Sequence, residues 1–180
     1  MALQTYIALL RGINVGGNNK VPMAELRKIA SNLGWQNIAT YIASGNMIFD
    51  AEASENISEL SLALNAEMQV HLGVDVPILI LCAPGFRNIA AQNPFQPDDP
   101  KHAHIWFLFD APNLDTDRLD HIKAPDEALN VTQNAAYLDA PSGIGRSKLA
   151  EQMSKVLGVD ATARNLRTVY KLIEMLDARG

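Results

Sequence analysis

Apolar positions along the chain alternate between short continuous runs and longer stripes at helical spacing. Residues Thr5–Leu10 (TYIALL) form one such run, ending at Arg11-Gly12, and predict a buried strand. Arg11–Lys20 (RGINVGGNNK) then holds three glycines and three asparagines, the composition of an open loop. Pro22 suits the first turn of a helix, and Met23, Leu26, Ile29, Ala30 and Leu33 keep its period up to Gly34. Ile38–Ile42 and Met47–Phe49 flank Ser44-Gly45-Asn46 as the arms of a hairpin. Ser54 can cap a helix carrying Ile57, Leu60, Leu64, Met68 and Leu72, which Gly73 closes before a strand at Val76–Cys82.

The order βαββαβ is that of the ferredoxin-like unit. The second half repeats it in part. Pro84–Gln92 reads as a short linking helix and Asn93–Pro100 as a proline-rich connector. His104–Phe109 reads as a strand, Leu114–Ile122 as a helix, and Leu129–Thr132 with Ala136–Leu138 as a hairpin. The loop Ala140–Arg146 leads to a helix over Ser147–Leu157 that stops at Gly158. Thr162 is placed to cap a last helix, Arg164–Leu176, with Val169, Leu172, Ile173 and Leu176 on its apolar face. The expected class is α+β. It comprises a βαββαβ subdomain at residues 1–83, a linker at 84–102, and a βαββα subdomain with a C-terminal helix at 103–180.

Composition narrows the function classes. With 48% hydrophobic and 19% charged residues, the 180-residue chain has an ordinary globular balance. A net charge of −5 argues against a general nucleic-acid binder. The single cysteine, Cys82, excludes an intramolecular disulfide and reads as an inert core thiol. The run VPILILCAP is too short to span a bilayer, and the N-terminus lacks the pattern of a secretory signal, so a cytoplasmic protein is expected.

Within this acidic chain, carboxylates are absent from Met1–Ala24, Ala140–Ala150 and Ala161–Ile173. These segments carry Arg11 and Lys20, Arg146 and Lys148, and Arg164, Arg167 and Lys171. A positive focus inside an acidic protein suits a small anion better than a long polyanion. RGINVGGNNK has neither Walker A nor Rossmann glycine spacing. Its glycines could let backbone amides approach an anion, or could only serve left-handed turns. In PSGIGRSKL (Pro141–Leu149), helix capping is the simpler role for Ser147, and neither Ser44 nor Ser142 lies in a nucleophile elbow.

His102 and His104, two apart at the entry to a strand, would face the same way and could bind a divalent metal with Asp98 and Asp99. Surface or strand-edge histidines are the simpler reading. Tyr6 and Phe49 fall on the strands that carry stacking aromatics in RNA recognition motifs, but the basic-aromatic signature is missing.

The motifs LLRGINVGGNNKVPMAEL (Leu9–Leu26), TYIASGNMIF (Thr40–Phe49) and TARNLRTVYKL (Thr162–Leu172) together resemble an uncharacterised bacterial family, domain of unknown function 1697. The resemblance covers nearly the whole chain and implies two similar ferredoxin-like subdomains. It implies no activity, cofactor or catalytic residue. Its motif positions are Arg11, Gly12, Asn14, Gly16, Gly17, Ser44, Gly45, Asn46, Thr162, Arg164 and Asn165. Ala43 stands where that family commonly has glutamine, and Leu166-Arg167 where it commonly has Trp-Asn.

These observations favour a protein that binds a phosphate- or carboxylate-bearing ligand in a pocket between the subdomains. Arg11, Asn14, Gly16, Gly17, Ser44, Asn46, Arg164 and Asn165 would contribute. Two alternatives stand beside it. One is a non-catalytic interaction or dimerisation module in which the motifs are structural, and the other is a metal-dependent hydrolase using His102 and His104.

Overall fold

The computed structural model describes residues 2–53 and 56–179, and the chain divides into two compact units, Met1–Phe86 and Arg87–Gly180. Unit 1 contains β1 (Leu3–Leu10), α1 (Met23–Asn32), β2 (Gln36–Tyr41), β3 (Asn46–Glu52), α2 (Ile57–Leu72) and β4 (Ile78–Cys82). Its antiparallel sheet has the order β2-β3-β1-β4, so β3 is inserted between β1 and β2 as the split βαβ arrangement requires.

β1 reads as a continuous apolar run because both of its faces are buried. Tyr6, Ala8 and Leu10 enter the core with Leu26, Ile29, Met47, Phe49, Leu64 and Met68, while Ile7 and Leu9, which point the other way, are also fully buried. Phe49 stacks on Trp35 at 4.0 Å and on Tyr6 at 5.6 Å. Tyr6 and Phe49 therefore spend their ring faces inside the core, where no base can stack on them.

Most local signals act where the pattern places them. Gly34 (φ +86°) follows α1, and Gly73 (φ +65°) closes α2. Pro22 lies one residue outside the predicted first turn, at the N-cap of α1. Ser54, the expected cap of α2, lies outside the described residues, and Asn56 occupies the N-cap position.

The helix α3 (Ala83–Ala91) follows β4. Unit 2 then contains β5 (Ala103–Leu108), α4 (Thr116–Ile122), β6 (Ala128–Val131), β7 (Ala135–Asp139), α5 (Lys148–Glu151), α6 (Met153–Leu157), β8 (Ala161–Asn165) and α7 (Leu166–Asp177). The sheet order β6-β7-β5-β8 repeats that of unit 1. Tyr137 donates from its buried hydroxyl to the Ile89 carbonyl at 2.6 Å, and Arg87 pairs with Asp177 at 2.7 Å, so the end of α3 is bound into unit 2.

Two expectations for unit 2 need correction. The predicted cap Thr162 is a strand residue, because Ala161–Asn165 pairs with β5 and completes a full βαββαβ unit. Alanine is a weak strand former, yet here Ala161 and Ala163 are small enough to pack beneath the helices. Asn165 is the cap of α7 instead, accepting from the Thr168 N–H at 2.9 Å. The single helix expected over Ser147–Leu157 is broken at Gln152, whose backbone (φ −104°, ψ 15°) leaves the helical region between α5 and α6.

Candidate functional site

The loop from Arg11 to Pro22 begins where β1 leaves the core. Ile13 is buried and rests on Gly45, where an added Cβ would lie 2.8 Å from both Ile13 Cδ1 and Leu10 Cβ. Asn14 adopts φ +55°, a left-handed conformation that asparagine accepts more readily than most residues. Its Nδ2 donates to Val21 O at 3.0 Å and to Ala43 O at 2.7 Å, while its Oδ1 accepts from Val21 N at 2.8 Å. One amide thus ties the loop, the approach to α1 and the β2–β3 turn together. Beyond it, Asn14 N donates to Asn19 O, and Asn18 N to Val15 O. Gly16 and Gly17, both at positive φ, form the tip of this small hairpin.

The Ser44-Gly45-Asn46 turn faces the same anchor. Asn46 is fully buried and donates to Tyr41 O at 3.0 Å and Ser44 Oγ at 3.2 Å, while Gly45 O accepts from Leu10 N. Ile42, just before this turn, is a β-branched residue held at φ +50°, a strained conformation, and remains exposed.

Beside the anchor lies a depression of about 430 Å³ lined by Asn14, Gly17, Lys20, Val21, Pro22, Met23 and Ala43. Lys20 is the only charged residue of that lining. Pro22 supplies no side-chain cap to α1, so the first N–H groups of that helix are not claimed by an N-cap side chain.

Of the residues expected to line a pocket between the subdomains, Arg11, Asn14, Gly16, Gly17, Ser44 and Asn46 belong to unit 1, where the Asn14 and Asn46 side chains hold backbone and Ser44 Oγ accepts from Asn46. Sequence reasoning did not single out Val21, Pro22, Met23 or Ala43 as lining residues. The readable signal was the apolar VPM directly after the basic loop end.

Arg164 and Asn165 belong to unit 2. Arg164 is buried in β8 and donates from Nη1 to Thr162 Oγ1 and to Ala163 O, both at 2.8 Å. Burial pushes its guanidinium down to about 10, still charged at neutral pH. Asn165 spends its side-chain oxygen on the α7 cap. Ser147 caps α5 as expected, accepting from Ala150 N at 3.0 Å while its own hydroxyl donates to the buried Glu127 carboxylate. Ser142 donates to Asp126. Cys82 is half-buried against the core of unit 1.

The two histidines part company. His102 ends a 3-10 turn at Pro100–His102, so strand alternation does not align it with His104. It lines a separate depression of about 450 Å³ with Gln96, Pro97, Asp98, Asp99, Asp139 and Pro141. His104 sits within β5 beside Trp106, with Nδ1 buried and unpartnered, and burial pushes its imidazole down to about 4. Among the described residues, no group of three or more His, Cys, Asp or Glu side chains is placed to hold a metal ion. None of their helices is long and apolar enough to cross a membrane.

Two four-stranded antiparallel sheets in identical order define a tandem ferredoxin-like α+β protein. The model of the family described as protein of unknown function (DUF1697) matches residues 3–137, and the chain belongs to that family. A solved structure described as that of the conserved bacterial protein SP0830 from Streptococcus pneumoniae is similar over 97% of this chain and 99% of its own, with 29% identity and a TM-score of 0.70. Among curated proteins, none matches the chain.

Proposed function

We propose that this protein binds a small anionic ligand at the glycine loop of unit 1. The observation that carries the reading is the depression beside the Asn14 anchor, whose lining holds Lys20 and no carboxylate. Lys20 supplies the charge and the Gly17 backbone gives close access. Asn14, Ser44 and Asn46 fix the geometry rather than read the ligand.

The test is a thermal-shift titration of the full chain with phosphate- and carboxylate-bearing compounds, in parallel with Lys20→Glu. A ligand of the native state raises the melting temperature by mass action, and Lys20→Glu abolishes that rise while its own baseline stays near wild type. An equal response from the variant assigns the ligand elsewhere.

A second reading, a non-catalytic interaction module, is favoured by the exposure of Val15 (64%) and Ile42 (48%) on either side of the Asn14–Ala43 contact in sequence. It predicts concentration-dependent self-association or capture of a protein partner, with no thermal response to anions.

A further inference from the structure

Resting on the anion-site reading above, we infer that the ligand is an organic monoanion with an apolar body, a carboxylate carried on an alkyl or aryl group. Four of the seven lining residues, Val21, Pro22, Met23 and Ala43, present only apolar side-chain surface. Asn14 adds little polarity, because both of its amide hydrogens and its oxygen are committed to backbone at Val21 and Ala43. Gly17 has no side chain. One cation, Lys20, therefore stands at a mainly hydrocarbon surface.

A nucleotide or sugar phosphate fits this lining poorly. Its hydroxyls would leave water for apolar walls with no hydrogen bonds in exchange, an uncompensated desolvation. A phosphate dianion would face a single lysine, and Glu25 puts a like charge in the first turn of α1. An alkyl or aryl carboxylate matches both features. Its one charge pairs with Lys20 and its body covers Val21, Pro22, Met23 and Ala43. Met23, flexible and polarisable, adapts to bodies of different shape.

The experiment is an NMR titration of the full-length protein, following the amides of Asn14, Gly17, Lys20 and Ala43. The probes are butanoate, hexanoate, octanoate, inorganic phosphate and octylammonium. The expected result is saturable shifts at these amides by the carboxylates, tightening by up to about fourfold per added methylene. Lys20→Gln removes the response while its tryptophan emission stays that of wild type. Lysine-dependent binding of phosphate, with no gain along the carboxylate series, overturns the apolar class and leaves the anion site standing. Octylammonium binding as tightly as octanoate overturns both readings, since the charge then selects nothing. So does the absence of any shift at these four amides.

Discussion

The two units solve the same connection in opposite ways. In unit 1, β1 reaches α1 through twelve residues (11–22) that end at Pro22, a residue with no side chain able to cap the helix. In unit 2, β5 reaches α4 through seven residues (109–115) that end at Asp115, whose carboxylate accepts from the Arg118 N–H at 3.0 Å. The unit 2 connection is also tied down along its length. Asn113 N donates to Leu157 O and Asp115 N to Val156 O, and Asn113 O presses so close to Gly158 that a Cβ there would lie 2.7 Å away. The unit 1 loop is held at its base by Asn14 and Ile13, and every other residue from Gly12 to Lys20 is exposed. A repeated fold has thus kept one copy of the connection closed and capped, and left the other open beside a cation. That asymmetry separates a structural loop from a binding candidate more sharply than glycine content does.

Breaking the base of the open loop has the largest expected effect. Gly45→Ala meets Leu10 and Ile13 at 2.8 Å while holding φ +95°, so it costs unit 1 about 3 kcal/mol. Gly16→Ala, with open space around it and only its φ to satisfy, costs about 1 kcal/mol. Each unit holds one tryptophan, Trp35 or Trp106, so urea titrations of single-tryptophan variants assign the loss to one unit. Equal costs for the two glycines would show that the Gly45 contact is not the anchor.

Acid separates the units next. The His104 imidazole falls from an ordinary 6.5 to about 4 in the native state through burial. The unfolded chain therefore takes up the proton first as pH drops. The stabilisation is complete above about 6.5 and is lost as pH falls towards about 4, a change of about 2 kcal/mol after allowance for partial exposure of the ring. Stability curves read from Trp106 should carry this slope, and His104→Phe should flatten it. A slope that survives the substitution assigns the acid sensitivity to other groups.

The smallest test exchanges the two helix starts. Asp115→Ala removes the α4 cap and should cost about 1 kcal/mol, whereas Pro22→Asp gives α1 a comparable cap and a small gain. Pro22→Asp also puts a carboxylate into the depression, so it should weaken anion binding even as it stabilises. Unchanged binding would detach the ligand from the start of α1.

Unit 1 was nearly all legible because its signals are local. The strand run at Tyr6–Leu10, the helical period of α1 and the glycines after both helices each act within a few residues. Unit 2 hid one strand. ATARN has weak intrinsic strand character, and only pairing with β5 makes Ala161–Asn165 extended, so Thr162 looked like a cap. In the candidate site, the basic, glycine-rich character was written in the sequence. The division of labour was not. That Asn14 spends its amide on Ala43, 29 residues away, depends on the fold bringing two turns together.

The Asn14 N–Asn19 O bond closes the hairpin below its tip, leaving residues 15–18 outside everything that supports the sheet. Because the cost of loop closure grows only slowly with length, that tip can be lengthened at little cost to the sheet beneath it. Residues inserted there would add to the surface above the Asn14 socket without disturbing the strand pairing of unit 1.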